Sequence, residues 1–207
     1  MLLRVNESQP DHKAIHQIVD CLKAGGIIIY PTDTIYALGC DLFNHKAFEK
    51  LCRLKGIKPE KANFSFVCSD LSHLSAFTRP IANDIFRVMK RALPGPYTFI
   101  LEASNEVPKV LKQNRKTVGI RVPKNLVCTE IIEKLGHPLV STSLHDSKDQ
   151  ITEYHNDPTA IWEEFGDKVD LVVDAGFGNL FPSTVIDCSD GGFEVVREGL
   201  GGLEVLN

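Results

Sequence analysis

The sequence is poor in the features that most often give a function away. It has one tryptophan, two methionines, and six cysteines with no pair at C-x-x-C spacing. Scattered cysteines of this kind exclude a sequence-evident zinc ribbon or redox pair and read as small core residues. No apolar run approaches the roughly 20 residues of a membrane span. The start, "MLLRVNESQPDHK", turns polar too early for a secretory leader, so the expectation is a cytoplasmic protein. Four nucleotide and hydrolase signatures are missing as well. There is no G-x-x-x-x-G-K-[ST] loop, G-x-S-x-G elbow or H-E-x-x-H helix, and "GFGNLF" at Gly176 lacks the third glycine of a dinucleotide fingerprint. The seven histidines are dispersed, mostly in polar segments.

What is present is an ordinary globular composition, 43% hydrophobic and 24% charged over 207 residues, which suits one domain spanning residues 1–207. Periodicity predicts helices over Asp11–Ala24, Asn44–Leu54, Ile81–Leu93 and Val127–Leu135, and another around Trp162. Strands are predicted at Ile27–Tyr30, Asn63–Cys68, "YTFILEA", "TVGIRV", "PLVST", "VDLVVDA", "STVIDC" and "FEVVRE". The alternation points to an α/β fold with a twisted mixed β-sheet and flanking helices. The polar stretch Ser143 to Asp157 is the best candidate for a mobile loop.

Net charge is only −4, but it is unevenly distributed. From Asn44 to Lys124, sixteen Lys and Arg face six Asp and Glu; the remainder holds seven against twenty-one. A basic middle between acidic flanks suggests an anionic ligand. Lys46, Lys50 and Arg53 share one helix face, and Lys46 and Lys50 read as solvated. Lys55, Lys58 and Lys61 follow in the loop "KGIKPEK", where cations can close around a polyphosphate.

Arg121 differs in kind, because it sits in the apolar strand "TVGIRVP", where an unpaired guanidinium is costly. It calls for a carboxylate or phosphate from the protein or from a ligand. Arg197 in "VREG" stands in the same situation. Hydroxyls gather near strand ends: Thr32 and Thr34 in "YPTDT", Ser141 to Ser143 in "LVSTSL", and Ser183 and Thr184 in "FPSTVID". Together they suggest a polar pocket at the rim of a sheet.

"YPTDTIYALGCD", "PGPYTFIL", "VGIRVP", "STS", "PSTVID" and "VREG" occur in the order and spacing of the YrdC/YciO family, from about Ala14 to Gly199. The chain therefore resembles that family, which includes threonylcarbamoyl-AMP synthases. The resemblance implies a YrdC-like fold and a reaction of L-threonine, bicarbonate and ATP with Mg²⁺. Its products are threonylcarbamoyl-AMP, for N6-threonylcarbamoyladenosine in tRNA, and pyrophosphate. It places Thr34, Arg121, Ser141, Ser183 and Thr184 at the threonine. Lys55, Lys58, Thr98, Ser143 and Arg197 fall at the nucleotide. It implies no covalent nucleophile and no metal ligand among the side chains, the magnesium being carried by the nucleotide. A second expectation is RNA binding (tRNA, double-stranded RNA or ribosome) by a basic concave face without catalysis. Two segments depart from the synthases: "KGIKPEK" has no arginine where K-x-R-P is usual, and "STSLH" replaces S-T-S-A-N. Both are more similar to the YciO branch.

Overall fold

Four of the helices begin where a side chain can cap them. Asp11, Asn44, Asn125 and Asp157 accept backbone N–H groups two or three residues on, satisfying donors that a helix start leaves unpaired. Asp11 and Asn44, the first residues of two predicted helices, are thus caps. Gly25 (φ 86°) and Gly136 (φ 88°) close helices in the left-handed region that glycine enters without strain.

The computed structural model describes residues 1–72, 74–108, 116–144 and 155–206. Its strands are β1 (Leu2–Arg4), β2 (Ile28–Tyr30), β3 (Ala37–Asp41), β4 (Ser65–Val67) and β5 (Tyr97–Glu102), then β6 (Thr117–Arg121), β7 (Leu139–Ser143), β8 (Leu171–Asp174), β9 (Thr184–Asp187) and β10 (Glu194–Arg197). Its α-helices are α1 (His12–Lys23), α2 (His45–Leu54), α3 (Leu74–Phe77), α4 (Asn83–Ala92), α5 (Leu126–Leu135) and α6 (Pro158–Phe165). Most of the Ser143–Asp157 stretch, residues 145–154, lies outside the described residues.

The ten described strands form one mixed sheet in the order β1-β8-β2-β3-β7-β4-β6-β5-β9-β10. β1, β3 and α3 are absent from the sequence-based expectation. β3, "ALGCD", is buried throughout, so it lacks the alternation that marks a strand, and it carries no β-branched residue. Gly39 is required there, because a Cβ would meet the Tyr30 ring at 2.7 Å.

The two faces of the sheet carry different chemistry. On one face, Leu38, Phe66, Phe99, Ile120, Val140 and Ile186 pack with the apolar sides of α2, α3, α4 and α6. On the other, Ile28, Tyr30, Leu171 and Val173 pack under α1 and α5. That cover stops at Ala37 and Val67. Beyond it the same face carries serine, threonine, glycine, arginine and aspartate on β4, β5, β6, β7 and β9, residues that strand periodicity sets opposite the packed core. The helices leave half of one sheet face open, and that half forms the site.

Candidate functional site

A cavity of about 630 Å³ lies over the open half-face, within the usual size of small-molecule sites. Its floor is set by strand register. Gly119 on β6 stands between Ile100 on β5 and Ser65 on β4, and Ser65 stands beside Ser141 on β7. A Cβ at Gly119 would lie 2.7 Å from Ser65 Oγ, so glycine keeps the floor low. The pocket was expected at the sheet's rim and instead lies across its face. The reason is that the inward residues of these strands are themselves short and polar.

Arg121 forms one wall. It is only 8% exposed, and its Nη2 donates to Thr32 Oγ1 (3.0 Å), Asp33 Oδ1 (2.6 Å) and Thr34 Oγ1 (2.5 Å). These three residues follow β2, which stands four places from β6 in the sheet. Twist accumulates to roughly 80–100° over four strands, which lets the loop cross the open face to reach the guanidinium. The oxygens are fixed in polarity: Thr32 Oγ1 donates its own hydrogen to Ile35 O and so faces Arg121 as an acceptor. Arg121 Nε is different. It is the one buried side-chain nitrogen or oxygen among the described residues without a hydrogen-bond partner. An unsatisfied buried donor costs about 1–3 kcal/mol, more when charged.

The threonines of "YPTDT", expected to face a ligand, stand elsewhere in this structure. Thr32 and Thr34 are buried, stand outside the cavity lining, and hold Arg121. Thr184 is likewise outside it. Its hydroxyl donates to Gly201 O and accepts from Gly199 N, tying down the chain's end. Ser141 and Ser183 do line the cavity. Tyr30 donates to Ser141 Oγ at 2.7 Å, and burial pushes its phenol well above the ordinary range, so it stays a neutral donor.

Among the residues assigned to a nucleotide, Lys55, Thr98, Ser143 and Arg197 line the cavity. Lys55 ends α2, is almost fully buried, and its Nζ donates to Ser143 O at 3.0 Å. Arg197 donates twice to Ser183 O, and Ser183 Oγ lies 2.9 Å from Thr98 Oγ1. Lys58 is exposed and outside the lining; Lys61, one short helical turn later, is within it. The only carboxylate in the described lining is Asp187, whose Oδ1 accepts from Ser189 N and Oγ.

The thiols play no part in this chemistry. Burial raises Cys68 and Cys188 to about 12 and Cys52 to about 11, far from the thiolate range, and all six cysteines are free. Among the described residues, no cluster of three or more His, Cys, Asp or Glu could hold a metal ion. No described helix is long and apolar enough to cross a membrane.

Sequence reasoning missed Asp33, Ser65 and Gly119, and named Lys61 only as one of three loop cations. Asp33 carried a readable signal, a carboxylate between two threonines; Ser65 and Gly119 depend on strand register.

Comparison with known proteins places this geometry. The Escherichia coli K12 protein YciO is 41% identical over 198 residues, 95% of this chain and 94% of its own. Its crystal structure aligns with a TM-score of 0.91 at 38% identity, covering 100% of this chain and 99% of that one. A threonylcarbamoyl-AMP synthase from Coxiella burnetii is 29% identical over 186 residues, 89% of this chain and 97% of its own. The structure of P. abyssi Sua5 shares the fold, with a TM-score of 0.88 at 24% identity over 99% of this chain and 59% of that chain. The profile of Sua5, YciO and YrdC proteins, described as telomere recombination, matches residues 20–199. The chain belongs to the Sua5/YciO/YrdC family.

Proposed function

We propose that this chain is an ATP-dependent nucleotidyltransferase that makes threonylcarbamoyl-AMP from L-threonine, bicarbonate and ATP. The observation that carries the reading is Arg121 itself, a nearly buried guanidinium that lines the cavity and whose Nε has no partner. A small carboxylate would accept from it, and the fork geometry of a guanidinium suits a carboxylate. Two relatives support the same choice: the Coxiella burnetii protein is named threonylcarbamoyl-AMP synthase, and P. abyssi Sua5 was crystallised with L-threonine.

In this reading Arg121 orients the amino-acid carboxylate, with Ser141 and Ser183 beside it. Lys55, Lys61 and Arg197 neutralise the polyphosphate. Bicarbonate takes up a proton and gives CO₂ and water; the threonine amine adds to the CO₂ and releases a proton, leaving a carbamate. A carbamate oxygen then bonds to the α-phosphorus as the bond to the pyrophosphate oxygen breaks, and pyrophosphate leaves. The chain supplies orientation and charge neutralisation with no covalent nucleophile. Magnesium fits as a companion of the phosphates, since the described lining holds a single carboxylate, Asp187; when bound it would neutralise phosphate charge.

The test is pyrophosphate release from ATP that depends on both L-threonine and bicarbonate. The wild type gives signal, and Lys55→Ala lowers it at least about tenfold, as removal of a transition-state charge partner does. No dependence on threonine at high protein concentration sinks the proposal. The RNA-binding reading gains no specific observation. The cationic helices α2 and α4 pack on the sheet face opposite the cavity, and Lys50 there is paired with Asp170.

A further inference from the structure

Asp33 stands beside Arg121 with both oxygens engaged. Oδ1 accepts from Arg121 Nη2 and Oδ2 from the backbone N of Lys124, and the two side chains are 9% and 10% exposed. Nη2 has two hydrogens for three oxygens, those of Thr32, Asp33 and Thr34, so this nitrogen is saturated by the protein. Only the remainder of the guanidinium is left to meet a ligand, and its Nε is the unpartnered donor.

We infer that Asp33 is a positioning residue that makes the Arg121 end of the cavity selective for a monoanionic carboxylate over phosphate. The inference deepens the proposed function and rests on it for the identity of the carboxylate. Two effects combine. The Thr32–Thr34 loop locks the guanidinium from one side and so aims Nε. The Asp33 charge also cancels that of Arg121, and it repels a second anion in proportion to that anion's charge. A carboxylate gains directed hydrogen bonds and meets modest repulsion, whereas a phosphate dianion meets about twice as much. The two anionic substrates, amino acid and polyphosphate, are thereby sorted to different ends of one continuous cavity. Without Asp33, a bare arginine would attract phosphate to the amino-acid end.

The Arg121 Nε–H signal in ¹H–¹⁵N spectra tests this, assigned by its loss in Arg121→Lys. Wild type is titrated with acetate, L-threonine and inorganic phosphate at constant ionic strength. Acetate and L-threonine shift the signal; phosphate at the same concentration does not. In Asp33→Asn, which keeps an oxygen for Nη2 but removes the charge and the acceptor for Lys124 N, phosphate binding at this signal strengthens at least about tenfold relative to acetate. A wild-type signal that answers phosphate as readily as acetate overturns the inference, as does one that answers neither. Unchanged selectivity in Asp33→Asn also overturns it. A signal that answers acetate but not L-threonine supports the sorting and removes the threonine reading, so the two failures are distinct. If Asp33→Asn does not fold, Thr34→Val decides: it loses an acceptor but keeps the charge. Acetate then weakens while phosphate stays excluded; phosphate entry in that variant refutes the role of Asp33.

Discussion

Replacing Arg121 by methionine tests the energetic centre of the site. The change removes the guanidinium from a position 8% exposed and leaves the Asp33 carboxylate with the Lys124 N–H as its remaining partner. Breaking a buried ion pair from one side costs about 3–5 kcal/mol, because a charge is left without compensation. Asp33→Leu is expected to cost a similar amount for the converse reason. The double variant Asp33→Leu with Arg121→Met removes both charges and places apolar groups of comparable size between Thr32 and Thr34. Its cost falls short of the sum of the singles by at least about 2 kcal/mol. Urea unfolding reads this directly. With a slope of about 2–3 kcal/mol per M, each single variant lowers the midpoint by roughly 1–2.5 M. The double variant lies above the additive position. Additivity to within about 0.5 kcal/mol would refute the claim that Asp33 and Arg121 form one energetic unit.

Other consequences follow from the same geometry. Lys61→Ala weakens ATP binding by about fivefold or more, whereas Lys58→Ala changes it less than about twofold, because Lys61 lines the cavity and Lys58 does not; calorimetric titration with ATP separates them, and equal losses contradict the placement. Gly119→Val raises the cavity floor into Ser65 Oγ, which a Cβ alone would approach to 2.7 Å. Ligand affinity should fall at least about tenfold, the scale of a few lost or clashing methyl-sized contacts, with an unchanged far-UV spectrum. Lys50→Met probes acid stability through Asp170. Burial raises that carboxyl, but hydrogen bonds from Lys50 and the Ile27 N–H outweigh it, so the folded value is lowered. A lowered carboxylate contributes stability above its unfolded pKa, and loses it as pH falls through the folded one. In Lys50→Met the acid-unfolding midpoint therefore moves to higher pH, by an effect under about 1 kcal/mol because both side chains are two-fifths exposed. A midpoint that moves to lower pH would contradict the pairing.

How much of this could be read from the chain differs by element. α1 and α2 were legible because one apolar face repeats through each and a capping aspartate or asparagine starts them. β6 was legible, and Arg121 in it stood out, because a lone cation among Val118, Ile120 and Val122 breaks a strand pattern. β3 was not, since a strand buried on both faces has no alternation to show. The location of the pocket was misread for a related reason. Hydroxyls at strand ends were visible in sequence, but Ser65 and Gly119 join them only once β4 and β6 are paired in register. The choice between Lys58 and Lys61 depends on a single short helical turn at Pro59–Lys61, and periodicity says nothing about a loop of that length.

The boundary between core and cavity gives Asp33 a wider part than its contact with Arg121. Ala37 and Val67 belong both to the apolar layer under α1 and α5 and to the cavity lining, so the cover ends where the site begins. Asp33 joins the two. It holds Arg121 through Oδ1 and, through Oδ2, the backbone of Lys124, next to the Asn125 cap that starts α5. Pro31 O, just before this loop, accepts from the Cys128 thiol inside the first turn of the same helix. The loop after β2 is thus fastened to the helix that covers the neighbouring apolar layer and to the arginine that forms the cavity wall. A substitution that merely loosens this loop moves helix and arginine together and lowers stability as well as binding. One that removes the charge, as Asp33→Asn does, keeps the oxygen that holds Arg121, gives up the acceptor for Lys124 N, and changes which anion Arg121 accepts.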